Sequence, residues 1–201
     1  METAEKKFFS AKRVTYLAVL LALVVVLQAV GGTIPIGVVQ LNFTLIPIAL
    51  GATLLGWAAG GILGLACGIV VLIQVITGQN AFYTLIWTNS PFVTTLTCLL
   101  KTTVAGIDAG LVFGWIQKKN RYVAVFAASG LVPVLNTAIF ILGCLGMYNT
   151  VAMAADGTNV FVFILVGLVT YNFFIEFAIN LLLAPAIHTV DRVVEKQLSK
   201  N

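Results

Sequence analysis

Between Arg13 and Lys118 the chain carries a single basic residue, Lys101, and that lysine lies inside a long apolar run. This spacing restricts the fold more than any motif does. Apolar stretches of about 20 residues meet the length needed to cross a bilayer as helices. The composition points the same way: 60% of the 201 residues are hydrophobic and 9% are charged, where a soluble domain has about a quarter charged. Mean hydropathy is +1.07. The chain reads as an all-α integral membrane protein forming one membrane-embedded domain over residues 1–201, with no room for an appended catalytic module.

Length and punctuation place the elements. Six transmembrane helices are expected at about 11–30, 41–56, 57–76, 92–117, 122–147 and 159–185, with an amphipathic tail over 186–201. The first follows Lys6, Lys7, Lys12 and Arg13 as a signal peptide would, but its apolar stretch is too long and lacks a clear cleavage site. It reads as a retained helix. Gly31-Gly32-Thr33-Ile34-Pro35 breaks it, and Pro47 reads as a kink in the short second span. Residues 77–91 and 148–158 read as polar, aromatic loops. Cys67, Cys98 and Cys144 all fall within spans, and their odd number argues against a disulfide framework.

Charge sets the orientation. The N-terminus, the connection at Lys118, Lys119 and Arg121, and the C-terminus hold ten of the eleven Lys and Arg. Cytoplasmic loops carry that excess, so both termini are expected in the cytoplasm of a multi-pass cell-membrane protein. The same pattern excludes a nucleic-acid patch as the meaning of the +4 net charge.

Polar side chains at depth carry the functional signal, since a charge at the bilayer centre is expensive and faces a bundle interior or a watery cavity. At 1.5 Å per residue, Lys101 lies about 14 Å, Asn136 about 16 Å, Asn172 about 20 Å and Glu176 about 26 Å from the outer ends of their spans. Asn172, Glu176 and Asn180 recur every four residues and share one helix face, as do Lys101 and Asp108 seven apart. Lys101 is therefore free to pair with Glu176 or Asp108, or to receive an anionic ligand. Interhelical glue is the bland alternative for these groups. Among the aromatic residues, Phe82, Tyr83, Trp87, Tyr171 and Phe140 read first as interface anchors and second as ligand-stacking groups.

Small residues form faces as well. Gly60, Gly64 and Gly68 recur every four residues, and so do Ala18 and Ala22. Such faces let helix backbones approach closely in lipid. Two further stretches are distinctive: Leu41-Asn42-Phe43-Thr44-Leu45-Ile46-Pro47-Ile48-Ala49-Leu50-Gly51-Ala52, followed by Leu55-Gly56-Trp57 and Gly60-Gly61-Ile62-Leu63-Gly64-Leu65, and Val132-Pro133-Val134-Leu135-Asn136-Thr137-Ala138-Ile139-Phe140. With the basic N-terminus and the Ala18/Ala22 face, they make nearly the whole chain resemble the S component of an energy-coupling-factor (ECF) vitamin transporter, of the riboflavin and pantothenate branch.

The resemblance implies a subunit that binds one vitamin from outside and associates with a transmembrane coupling subunit and two cytoplasmic ATPases. Ala18 and Ala22 would meet the coupling subunit. The pocket would map onto Lys101, Asn136 and Asn172 with Glu176 near its floor, and Gln40, Asn42, Asn80, Trp87 and Asn89 would lie on or beside capping loops. Where riboflavin members carry an acidic Asp-Phe-Ser-Asp-Ile-Pro type of sequence, this chain has Asn42-Phe43-Thr44-Leu45-Ile46-Pro47, which lowers the case for riboflavin. A lone lysine among amides suits a small carboxylate with hydroxyl or amide groups, such as pantothenate. Riboflavin, folate and a queuosine precursor are the other cargoes considered.

The sequence offers no enzyme chemistry. It has no Walker A loop, no GxSxG and no HExxH. His188, the only histidine, has no partner at metal-ligand spacing, so neither metal nor cofactor is expected. A proton-coupled secondary transporter using Lys101, Asp108 and Glu176 is the competing class, though no inverted repeat is visible.

Overall fold

The computed structural model describes residues 11–31, 35–36, 39–40 and 42–198. Lys6, Lys7, Leu41 and the last residues of the expected tail lie outside them. The described chain is almost entirely helical. Its helices are α1 (Ala11–Gly31), α2 (Leu45–Leu55), α3 (Trp57–Ile76), α4 (Ala81–Asn89), α5 (Pro91–Ile116), α6 (Arg121–Gly146), α7 (Tyr148–Ala155), α8 (Val160–Val162) and α9 (Tyr171–Leu198), with a π-helical stretch over Phe163–Thr170 joining the last two. Between α1 and α2, Pro35–Ile36 and Val39–Gln40 pair as a minimal antiparallel ribbon, β1 and β2. Five helical stretches are long and apolar enough to cross a membrane, and α2 is a shorter apolar helix.

Helices α3 and α5 form the centre, and their closeness follows from glycine. A Cβ on Gly60 would strike the carbonyl of Gly106, one on Gly64 the carbonyl of Thr102, and one on Gly68 would sit 2.6 Å from the Cys98 carbonyl oxygen. The Gly60/Gly64/Gly68 face is thus buried against α5, whose own Gly106 and Gly110 return the approach toward Gly60 and Trp57. Thr102 locks the seam by donating its hydroxyl to the Gly64 carbonyl at 2.6 Å.

Helix α2 packs among α1, α3, α5, α6 and α9. Leu45, Ile48, Ala49 and Ala52 are fully enclosed. Pro47 is in the first turn of α2, where its missing N–H costs nothing, so the kink expected there is not present. Gly56, at φ 97°, turns α2 directly into α3. Helix α1 buries one stripe, Leu20, Val24, Gln28 and Gly31, with Tyr16 and Leu17 half-buried against the core, and most of its other apolar residues face outward.

Besides the later start of α2 at Leu45, three segments depart from the sequence expectation. Residues 77–91 hold a short helix, α4, because the Asn80 side chain accepts the Tyr83 N–H at 2.8 Å and starts it as an N-cap. Residues 148–158 hold α7, pinned where Ser90 and Thr150 share a hydrogen bond of 2.7 Å. The last helix does not end near Pro185 but runs through it to Leu198.

That continuation has a visible anchor. Arg121 donates to Asp191 through Nε at 2.5 Å and Nη2 at 2.9 Å, and through Nη1 to Glu195, with its guanidinium 5.5 Å from the Phe113 ring centroid. The contacts join α5, α6 and α9 at one end of the bundle. Asp191 is buried while Arg121 is partly open. The pair should therefore fall between a surface bridge of under 1 kcal/mol and a fully buried one of 3–5 kcal/mol. Arg121→Ala is expected to cost about 2 kcal/mol, seen as a lower thermal midpoint in detergent. Glu195→Ala, which removes an exposed partner, should barely move it.

Candidate functional site

A small, half-open cavity lies between β2, α6 and the π-to-α9 stretch, lined by Gln40, Asn136, Thr137, Phe140, Leu168, Val169, Asn172, Phe173 and Glu176. Asn136, Thr137 and Phe140 come from one side of α6, since Phe140 lies three residues from Thr137 and four from Asn136, spacings that share a helix face. Pro133 lies one turn earlier in the same helix. The opposite wall contains the end of the π stretch and the first turns of α9. A π segment widens the helix and re-aims the side chains around it, a feature common at functional sites.

The polar atoms around this cavity are not matched to one another. Asn136, Asn172 and Glu176 are 6%, 7% and 7% exposed. The Asn136 Oδ1, Asn172 Oδ1 and Gln40 Oε1 atoms are buried without a hydrogen-bond partner among the described residues. Asn172 spends its nitrogen on its own helix, donating to the Leu168 carbonyl at 3.3 Å. Buried amide oxygens left unpaired cost about 1–3 kcal/mol each. Three of them around one cavity make it a place where a hydrogen-bonding ligand would relieve an existing cost. Glu176 is held from behind: its Oε1 accepts the Asn42 backbone N–H at 2.8 Å.

Lys101 stands beside this cavity rather than in its lining. Its Nζ lies 5.5 Å from the centroid of Phe140, whose ring forms part of the wall. Lys101 makes no ion pair with Glu176 or Asp108, two pairings the sequence left open. A cation over an aromatic face is attracted by about 0.5–2 kcal/mol, enough to orient the ammonium without neutralising it.

The remaining sequence candidates are placed elsewhere. Asn42 reaches Glu176 through its backbone, and its side chain turns toward Thr44 and Cys67. Asn80 serves as the α4 cap. Trp87 packs half-buried against the core, and Asn89 is exposed with its amide on its own Leu85 carbonyl at 2.9 Å. None of these four lines the cavity. Conversely, Thr137, Leu168, Val169 and Phe173 line it and were not singled out from sequence. Phe173 follows Asn172 directly in the first turn of α9. Asn180, although on the Glu176 face, donates to the Glu176 carbonyl at 2.9 Å and lies outside the lining.

Ala18 and Ala22 are both exposed on α1, facing away from its buried stripe.

A helical membrane bundle with a partly polar cavity is consistent with several kinds of transporter. The comparison with known families distinguishes among them, although no curated protein matches the chain. The family model for the substrate-specific component of ECF transporters matches residues 12–188, which takes in the described bundle from α1 to the middle of α9 and every residue of the cavity. The chain is a multi-pass membrane protein that belongs to the family of ECF transporter substrate-specific components.

Proposed function

We propose that the chain binds a small vitamin in the cavity between α6 and α9 and delivers it in an ATP-driven complex with a transmembrane coupling subunit and two ATPases. Both termini are cytoplasmic in this reading, following the distribution of Lys and Arg. ATP hydrolysis resides in the partners. The observation that carries the proposal is the convergence of unpartnered Gln40, Asn136 and Asn172 oxygens with Glu176 on one cavity, with Lys101 at its edge.

Pantothenate is the cargo we favour. Its hydroxyl and amide donors suit the amide oxygens, and its carboxylate suits Lys101. Lys101→Ala is expected to weaken binding of radiolabelled pantothenate to the purified protein by about tenfold, or 1.4 kcal/mol. Affinity unchanged within twofold would remove the anion contact from the account.

Ala18 and Ala22 are proposed as the coupling face, since they are small and exposed on an otherwise loosely packed helix. Ala18→Trp should leave vitamin binding intact and abolish ATP-driven uptake in cells expressing the whole complex. Lost binding would instead assign α1 to the pocket or the fold. Uptake that persists without the ATPases and stops with a protonophore would favour secondary transport.

A further inference from the structure

Behind the cavity lies a second polar cluster that the pocket does not account for. Gln28 on α1 and Gln74 on α3 are each 4% exposed, in helices otherwise built from apolar residues. Both lie 17 residues above the first residue of their helix, about 26 Å along the axis, so they meet at one level. Gln28 donates its Nε2 to Gln74 Oε1 at 2.9 Å, and Gln74 returns its Nε2 to the Gln28 backbone carbonyl at 3.1 Å. The α1 end is thereby clasped to α3 through both a side chain and the backbone.

The cluster continues toward the cavity. Thr44 Oγ1 lies 3.4 Å from Gln28 Oε1 and 2.9 Å from Cys67 Sγ, and it also contacts Asn42 Oδ1. Its single proton is best used on Asn42 Oδ1, because the Cys67 thiol, 3.7 Å from Gln28 Oε1, can supply the donor that oxygen lacks. Asn42 Oδ1 also accepts the Thr44 N–H at 3.2 Å, closing an Asx turn at the entrance to α2. With its side chain held in this way, the Asn42 backbone N–H points at Glu176 Oε1, 2.8 Å away. Interhelical glue alone would need only the glutamine pair.

We propose that Thr44, Gln28 and Gln74 are positioning residues that fix the Asn42 turn, and through it the Glu176 carboxylate at the cavity floor, while tethering that floor to α1. The assignment of a ligand to the cavity rests on the function proposed above; the positioning chain is a property of the protein without ligand. It makes the floor of the cavity and the end of α1 parts of one hydrogen-bonded unit. Networks of this kind are strengthened when complete and weakened disproportionately by one missing member.

The test follows the Asn42 amide by hydrogen exchange in the isotopically labelled full chain in micelles, washed until a denatured aliquot releases no small molecule. Thr44→Val removes the hydroxyl with little change of shape, Thr44→Ser retains it, and Gln74→Leu breaks the clasp from the far end. The expected result is exchange at Asn42 at least tenfold faster in Thr44→Val and in Gln74→Leu, restored to within twofold in Thr44→Ser, with α5 and α6 amides unchanged. Unchanged exchange at Asn42 in either disrupting variant, or no restoration by serine, would overturn the proposal. Should Thr44→Val not fold, Gln74→Leu decides alone. Because no ligand enters the measurement, failure here is separate from failure of the vitamin-binding reading.

Discussion

Replacing Gly64 with valine is expected to prevent recovery of a folded protein. A Cβ at this position would overlap the Thr102 carbonyl group and approach the Thr103 Cα, all backbone atoms that no rotamer change can move. Accommodating it requires α3 and α5 to separate, which also breaks the 2.6 Å bond from Thr102 to the Gly64 carbonyl. Overpacking a tight core costs about 1–3 kcal/mol where side chains can yield. A backbone collision along the central helix pair should exceed that range. Gly114→Ala is the control, because a Cβ there meets nothing within 4 Å and alanine favours helix over glycine. Size-exclusion profiles and thermal midpoints in detergent should show Gly64→Val aggregated or strongly destabilised and Gly114→Ala like the parent. A monodisperse Gly64→Val protein with the parent's midpoint would mean that the two helices are not packed this closely.

The second large effect concerns Glu176. Its side chain lines the cavity, 7% exposed, and is fixed on one side by the Asn42 N–H. A hydrogen bond to a charged group contributes about 1.5–3 kcal/mol. Glu176→Ala should therefore lower the affinity for radiolabelled pantothenate by ten- to a hundredfold. Glu176→Gln keeps an oxygen for Asn42 and the cavity shape, so it should lose less. Equal and small losses in both would place the ligand away from Glu176.

Much of this arrangement was legible in the chain because charge and length are harsh constraints in a bilayer. The four-residue spacing of Asn172 and Glu176 picked out two residues that line the cavity, whereas the isolation of Lys101 pointed to α5, which contributes nothing to the lining. The spacing of Gly60, Gly64 and Gly68 identified the packing face that the structure buries against α5. Short-range signals were less easily read. Asn80 has the side chain of both a pocket residue and a helix cap, and the structure uses it as a cap. The length of α2 misled in another way. Leu41 to Gly56 is apolar throughout its middle, yet the helix begins only at Leu45, because the Asx turn at Asn42 and the contact with Glu176 occupy the residues before it.

The π stretch at Phe163–Thr170 has no sequence signature, since its residues are as apolar as any lipid-facing turn. The lining by Leu168 and Val169, which lie within it, was hidden with it. Gln28 and Gln74 were findable. Each is a lone amide in an apolar helix, and the reasoning that singled out Lys101 applies to them unchanged.

The central claim is that the cavity holds one vitamin tightly enough to act as the recognition step of ATP-driven uptake. Mass spectrometry of small molecules released when the purified protein is denatured tests it most directly. The account predicts a single vitamin near one equivalent per chain, with pantothenate the favoured identity and nearly none retained by Glu176→Ala. A well-folded protein that releases no small molecule, and takes up none when offered a vitamin mixture, would contradict it.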